Sequence, residues 1–134
     1  MKNSPAIKYA IICDSVRRED NGKLIAVGIY AYNILVPEFP ITLFLALMFA
    51  TDMHEKTITN FELLAEINGK RLSGGKGKFD TYVSGEALTY LQPVPYTFTE
   101  EGDLTIKIKF DEGDWQLIKT IGVAKEPKAT STLT

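Results

Sequence analysis

The chain has 134 residues, which suits one domain with a buried core, and its 45% hydrophobic and 24% charged residues are ordinary for a globular protein. A net charge of −2 argues against a general nucleic-acid binder but leaves room for a local basic patch, and the longest apolar run, Leu43–Ala50, is too short to span a membrane. The N-terminus lacks the apolar core of a signal peptide and Cys13 is the single cysteine, so we expect a cytoplasmic protein without a disulfide.

Two β-rich apolar runs near the N-terminus, Ile7–Cys13 and Leu24–Tyr30, flank a charged segment that ends in Asn21-Gly22. An Asn-Gly pair between such runs is typical of a hairpin turn, so the pattern predicts that the two runs pair and that Asp14–Lys23 is a solvated turn. Ile7–Cys13 is apolar on both strand faces, which favours a central strand. Gly28 within the second run indicates a bulge or a close backbone approach.

Three strands are predicted in the middle of the chain. Tyr32–Val36 is extended and is stopped by prolines. Ile41–Ala50 is rich in residues that also favour helices, but the run is short and is bounded by Pro40 and Thr51, which favours a strand. Thr57–Asn68 alternates apolar and polar residues, as a half-buried antiparallel strand does.

The C-terminal half contains weaker and stronger strand signals. Phe79–Val83 and Ala87–Leu91 are weak candidates, and two prolines at 93 and 95 restrict their neighbourhood to a sheet edge or a loop. Leu104–Phe110 alternates perfectly and is followed by a turn sequence. The returning strand, Trp115–Val123, is predicted to place these residues on one face: Trp115, Leu117, Ile121 and Val123.

About eight short strands, with turns roughly every ten residues and no sustained helical periodicity, predict an all-β, single-domain antiparallel β-sandwich. The arrangement is expected to be immunoglobulin-like or C2-like. We place the sandwich domain at residues 1–124 and a flexible tail at residues 125–134, which are polar and rich in small side chains.

The segment from Cys13 to Pro40, CDSVRREDNGKLIAVGIYAYNILVPEFP, resembles the opening of a family of small bacterial and phage-borne β-sandwich proteins of unknown function. The C-terminal half, with its proline–aromatic segment and its closing LTIKIKFDEGDW hairpin, is similar to that family too. The resemblance implies the sandwich fold and implies no activity. The residues that stand at the family's positions are Asp14, Val16, Arg17, Glu19, Asn21-Gly22-Lys23, Gly28-Ile29-Tyr30 and Val36–Pro40.

A basic, glycine-rich segment, NGKRLSGGKGKF from Asn68 to Phe79, is predicted to be a loop and departs from the family pattern. Backbone N–H groups beside glycine can approach an anion closely, so the loop is a candidate site for a phosphate, a nucleotide or a nucleic-acid backbone. It lacks the Gly-Lys-Ser/Thr spacing of a P-loop. The other interpretation is a solvated hairpin loop kept soluble by its charges. The candidate ligand-binding residues are Lys70, Arg71, Lys76 and Lys78.

Three further clusters have both a functional and a structural interpretation. Arg17 and Arg18, beside two acidic residues, are either charges that recognise a partner or a salt-bridged, solvated turn. Two acidic turns, at residues 100–103 and 111–114, would suit calcium if they met at one end of the sandwich, and are otherwise ordinary turn acids. His54 is the only histidine, and Cys13 is interpreted as a small core residue, so no metal or catalytic constellation and no cofactor is predicted.

The leading hypothesis is a non-enzymatic binding module whose partner is another protein or a second copy of the chain. Ile7–Cys13 and Ile41–Ala50 have more apolar surface than a small sandwich needs, and such surface is commonly covered by a neighbouring subunit. The second hypothesis is a binder of a phosphorylated or nucleotide small molecule, held by the four basic residues of the predicted loop. A hydrolytic enzyme is a third interpretation, and it lacks a motif.

Overall fold

The computed structural model describes residues 6–53, 57–81 and 85–127. Within these residues the chain is all-β, as the sequence predicts. No helix in these three ranges is long and apolar enough to cross a membrane. The strands are β1 (Ala6–Cys13), β2 (Ser15–Arg18), β3 (Leu24–Val27), β4 (Asn33–Val36), β5 (Ile41–Met53), β6 (Thr57–Ile67), β7 (Lys70–Thr81), β8 (Gly85–Phe98), β9 (Gly102–Phe110) and β10 (Gln116–Lys125).

Two sheets form the body of the molecule, and a short ribbon forms a third element. The smaller sheet has the order β1-β5-β8, the larger has the order β4-β10-β9-β6-β7, and β2 pairs with β3 alone. Among the described strands, neighbours are antiparallel except β4, which runs parallel to β10. The sandwich prediction is confirmed, with eight strands in the two main sheets.

The two sheets bury one hydrophobic core between them. Phe49 on β5 and Phe61 on β6 meet edge to face across the sheets, with their ring centroids 6.1 Å apart. The perfect alternation of β9 is confirmed, because Leu104, Ile106, Ile108 and Phe110 are all buried. Each such side chain contributes about 1.5–3 kcal/mol to folding.

The predicted pairing of Ile7–Cys13 with Leu24–Tyr30 is wrong. β1 pairs with β5, with Ile12 opposite Leu47 and Cys13 opposite Ala46. The turn at Asn21-Gly22 is tight, so the segments just before and just after it pair with each other: β2 with β3. Residues 15–18, predicted to be part of a solvated turn, are therefore a strand.

The basic segment is also a strand and not a loop. Asn68 and Gly69 both have positive φ, 50° and 78°, which makes a two-residue turn that starts β7 directly at Lys70. From there β7 pairs with β6 along its whole length, from Lys70 opposite Ile67 to Thr81 opposite Thr57. The glycines are accommodated because β7 is the last described strand of its sheet and needs no side chain to pack against a further neighbour.

Of two further segments, the proline-containing one agrees with its prediction and the C-terminal strand differs from the alternation predicted for it. Pro93 and Pro95 lie in β8, an edge strand as predicted. In β10 the pairing register shifts between Leu117 and Lys119, because Ile118 is an extra residue in the strand. This bulge reverses the faces on either side of it, so Leu117 is 60% exposed while Ile121 is buried.

The C-terminal strand ends one residue beyond the predicted domain boundary. Lys125 pairs with Val36, and the Glu126 N–H donates to the Val36 carbonyl at 2.7 Å. Residues 128–134 lie outside the described residues, so the flexible tail stays a prediction.

Candidate functional site

The β2–β3 ribbon folds over the outer face of the three-stranded sheet. Val16 on β2 is buried against Cys13 and Ala46 in a second, smaller core, and Leu24 and Ala26 of β3 pack against it. β1 and β5 are apolar on both faces, and the ribbon of the same chain covers part of their outer face. Cys13 is fully buried there, and its burial, followed by the nearby charge of Asp14, raises the pKa of its thiol.

One acidic residue, Asp14, joins the ribbon to the body. Its backbone N–H donates to the Val27 carbonyl at 2.9 Å, and the Tyr30 N–H donates to the Ile12 carbonyl at 2.9 Å. The Tyr30 hydroxyl lies within hydrogen-bonding reach of the Asp14 carboxylate. Burial, together with that carboxylate, raises the pKa of Tyr30. We call Asp14, Gly28 and Tyr30 the Asp14 junction.

Gly28 is required by the geometry of the Asp14 junction. Its φ is +69°, in the left-handed region, and the Asp14 carboxylate occupies the space that a Cβ at this position would need. The close backbone approach predicted from a glycine within an apolar run is confirmed. Asp14, Val16, Gly28 and Tyr30, four of the positions that carry the family resemblance, thus hold the ribbon in place.

The tip of the ribbon is a closed turn. The Glu19 N–H donates to the Lys23 carbonyl at 2.8 Å, the Gly22 N–H donates to the Glu19 carbonyl at 2.9 Å, and Asn21 Oδ1 accepts from the Lys23 N–H at 3.1 Å. The tip and the Asp14 junction hold the ribbon at both of its ends.

The outward face of β3 is apolar. Because Val16 and Ala26 face the second core, alternation turns their neighbours Ile25 and Val27 to the outside, where they are 41% and 45% exposed. Ile29, just beyond the ribbon, is 52% exposed. We call Ile25, Val27 and Ile29 the ribbon surface. Sequence reasoning missed it, although a two-stranded ribbon with apolar residues on both faces must expose one of them.

The mixed charges at the tip border the ribbon surface. Arg17 lies opposite Ile25, and Arg18, Glu19 and Asp20 follow it at the tip. All four are exposed, and none forms a salt bridge with any residue in the described ranges. The salt-bridged turn considered for this cluster is therefore not found in the described part of the chain.

The four basic residues of β7 lie along one extended strand. Lys70 and Lys78 are separated by eight residue steps, roughly 26 Å in a strand. Lys70 Nζ is 2.8 Å from Glu100 Oε1, and this hydrogen bond and charge hold the pKa of Glu100 below its usual value. Lys76 lies 3.8 Å from Glu62, while the Arg71 guanidinium lies over Gly74. The strand does not gather these cations around one anion.

A lateral cavity of about 80 Å³ opens between the edge strands β7 and β8. Its walls are apolar: Leu63 and Ala65 of β6 lie behind it, and Val94 and Tyr96 of β8 close its other side. Gly75 of β7 lines the opening, and a Cβ built on it would meet no atom within 4 Å. The cavity exists because β7 has glycine where a core-facing side chain would otherwise stand.

The two acidic turns do not meet at one end of the sandwich, so the condition for a calcium site there is not fulfilled. The two acidic turns lie at opposite ends of β9, roughly 27 Å apart for a nine-residue strand. Among the described residues, no three His, Cys, Asp or Glu side chains converge to hold a metal ion. His54 lies outside the described residues.

No curated protein matches the chain at a significant level. A family of unknown function (DUF6941) matches residues 8–123, and this range includes the ribbon, the Asp14 junction and β7. Since the match covers most of the sequence, the chain belongs to this family of unknown function.

Proposed function

We propose that the protein is a non-enzymatic binding module that works in the cytoplasm and associates with a second copy of itself through the ribbon surface. The observation that carries the proposal is a set of exposed aliphatic side chains: Ile25 and Val27 on a ribbon that is fixed at both ends, and Ile29 just beyond it. The resemblance of Cys13–Pro40 to bacterial and phage proteins supports such an origin as part of the same proposal.

Single exposed apolar residues are common on soluble proteins, but a row on one face of one ribbon is a feature of contact surfaces. Phe44 and Leu117 are also exposed, but they lie on opposite outer faces of the sandwich. The ribbon surface differs because Ile25 and Val27 are consecutive on the outward face of β3 and Ile29 follows directly beyond that strand.

The charges around the ribbon surface favour a second copy as the occupant. Arg17, Arg18, Glu19 and Asp20 bring both signs to the tip, unpaired among the described residues. A twofold axis through the ribbon would bring the basic residues of one copy near the acidic residues of the other, which is the self-complementarity that an isologous interface requires.

The proposal is tested by sedimentation equilibrium between about 1 and about 100 μM protein, a range that detects association free energies of about −7 kcal/mol. We expect a dimer for the unaltered chain and a monomer for the double variant Ile25→Thr/Val27→Thr. Threonine keeps the branched Cβ that strands favour, so the ribbon should still form. Leu117→Thr, an equally apolar change on the far sheet, is the control and should remain dimeric.

A monomer at all of these concentrations would overturn self-association. Capture of a different protein that is lost in the double variant would also overturn it, because the occupant would then be another chain.

The alternative, a phosphorylated or nucleotide ligand held by Lys70, Arg71, Lys76 and Lys78, has weaker support. These side chains are spread over roughly 26 Å of strand, further than the phosphates of one nucleotide extend, and two of them already face carboxylates.

A further inference from the structure

Both edge strands on one side of the sandwich leave backbone groups available, and they differ in what they can accept. β7 is the last strand of the five-stranded sheet and β8 is the last of the three-stranded sheet, and no described strand pairs with their outer edges. Pro93 and Pro95 remove two N–H donors from β8, which makes it a poor partner for a further strand. β7 contains no proline, so its edge can pair with a further strand.

The glycines of β7 expose an apolar cavity beside that edge. Gly75 lies opposite Leu63 and Ser73 lies opposite Ala65, so both face the interior of the sandwich. The cavity volume, about 80 Å³, is about half of the ~150 Å³ of an apolar protein cavity that binds benzene. That volume suits one aliphatic side chain delivered from outside the strand.

The charge of β7 selects the kind of strand that can pair with it. Between residues 70 and 81 there are four basic residues and one acidic residue, Asp80. Arg71 and Lys78 form no ion pair with any residue in the described ranges. A second copy of β7 would place like charges opposite each other, which is unfavourable, whereas an acidic strand would meet opposite charges.

We propose that β7 and the lateral cavity form a docking site for an extended acidic peptide segment of a partner protein. The segment adds a strand to the edge of β7 and inserts one aliphatic side chain past Gly75 onto Leu63 and Ala65. Its acidic residues meet the lysines on the outer face of β7. The site is separate from the ribbon surface, so peptide binding and self-association fail independently.

Fluorescence anisotropy with a labelled peptide, Glu-Thr-Glu-Val-Glu-Thr-Glu, tests this site. The valine peptide should bind, and its valine-to-glycine counterpart should bind roughly tenfold more weakly, since it lacks the buried side chain. A counterpart with lysine in place of glutamate should not bind.

A series at Gly75 separates the cavity from the charges. Gly75→Ala should weaken binding and Gly75→Leu should abolish it, because the new side chain fills the cavity. The added Cβ meets no atom within 4 Å, so the melting temperature should stay the same or rise. Gly122→Ala, a glycine replacement in β10 of the same sheet, is the control and should bind like the unaltered chain.

Equal binding of the valine and glycine peptides, or full binding by Gly75→Leu, would overturn the docking site. If ATP displaced the peptide completely, and if the valine and glycine peptides bound equally well, β7 would instead be a basic surface that binds phosphates. Lys78→Glu should weaken binding of the acidic peptide, and an unchanged affinity would contradict the charge argument.

Discussion

β3 of the ribbon and β7 both begin at a turn that contains the same three residues, Asn-Gly-Lys, yet the two strands form opposite kinds of surface. After Asn21-Gly22-Lys23 comes LIAV, which is apolar on both faces, so one face is buried on the sheet and the other is exposed. After Asn68-Gly69-Lys70 comes a basic run rich in glycine, so the strand has charges outside and an open cavity inside. The turn determines where a hairpin forms, and the side chains that follow determine what it can bind.

The largest effect is expected where the ribbon joins the body. Gly28→Val combines a left-handed backbone with a collision against Asp14, so the free energy of unfolding should fall by about 2–4 kcal/mol. Gly22→Ala, at the ribbon tip, also has a positive φ of 86° but meets no atom within 4 Å, and it should cost about 1 kcal/mol.

Urea unfolding measures both changes at the ribbon, and the reaction rate of the Cys13 thiol reports whether the ribbon stays closed. Cys13 should react much faster in Gly28→Val, because the ribbon buries it. If Gly28→Val and Gly22→Ala lowered the free energy of unfolding by the same amount, the proposed role of the Asp14 junction would be contradicted.

The next effect separates two glycines of β7. At Gly77 a Cβ would lie 2.6 Å from the Phe61 ring, so Gly77→Val should lower the free energy of unfolding by about 1–3 kcal/mol. Gly75→Val should change it by less than about 0.5 kcal/mol or increase it. Chemical denaturation measures the free energy of unfolding of both variants. A similar decrease at both positions would mean that no open cavity lies behind Gly75.

The smallest effect concerns the hydrogen bond of the Asp14 junction. Tyr30→Phe removes the bond to Asp14 and should cost about 1 kcal/mol at neutral pH. The pKa of Tyr30 is raised in the folded protein, so this group stabilises the fold below the ordinary tyrosine pKa and ceases to do so as pH rises through its folded pKa.

The stability of the unaltered chain should therefore fall more steeply above about pH 10 than that of Tyr30→Phe. Thermal unfolding between pH 8 and pH 11 measures both curves. Parallel curves would show that burial and the Asp14 carboxylate do not raise the pKa of Tyr30.

Much of the fold follows from alternation along the sequence, because a strand with one buried face has a period of two. β9 is the best example, since all four of its predicted inward residues are buried. The same rule fails in β10, where one extra residue, Ile118, reverses the faces and exposes Leu117. Nothing in the local sequence marks that bulge.

The candidate surfaces were harder to predict, because they depend on which strands are neighbours. The apolar run Leu24–Tyr30 was recognised, but its pairing with β2 instead of β1 decides that Ile25 and Val27 are exposed. The glycines near Gly75 were recognised as unusual, but only the sandwich shows that they open a cavity. A local pattern shows neither which strand a run pairs with nor which strands face each other across the sandwich.

The most direct test is a set of amide ¹H–¹⁵N spectra of the unaltered chain, recorded on dilution and then with the acidic valine peptide. The two-surface account predicts that dilution shifts the amides of residues 24–29 and that the peptide shifts those of residues 73–78, with little overlap. Shifts that spread over both regions in both experiments, or an absence of dilution shifts at the ribbon, would contradict it.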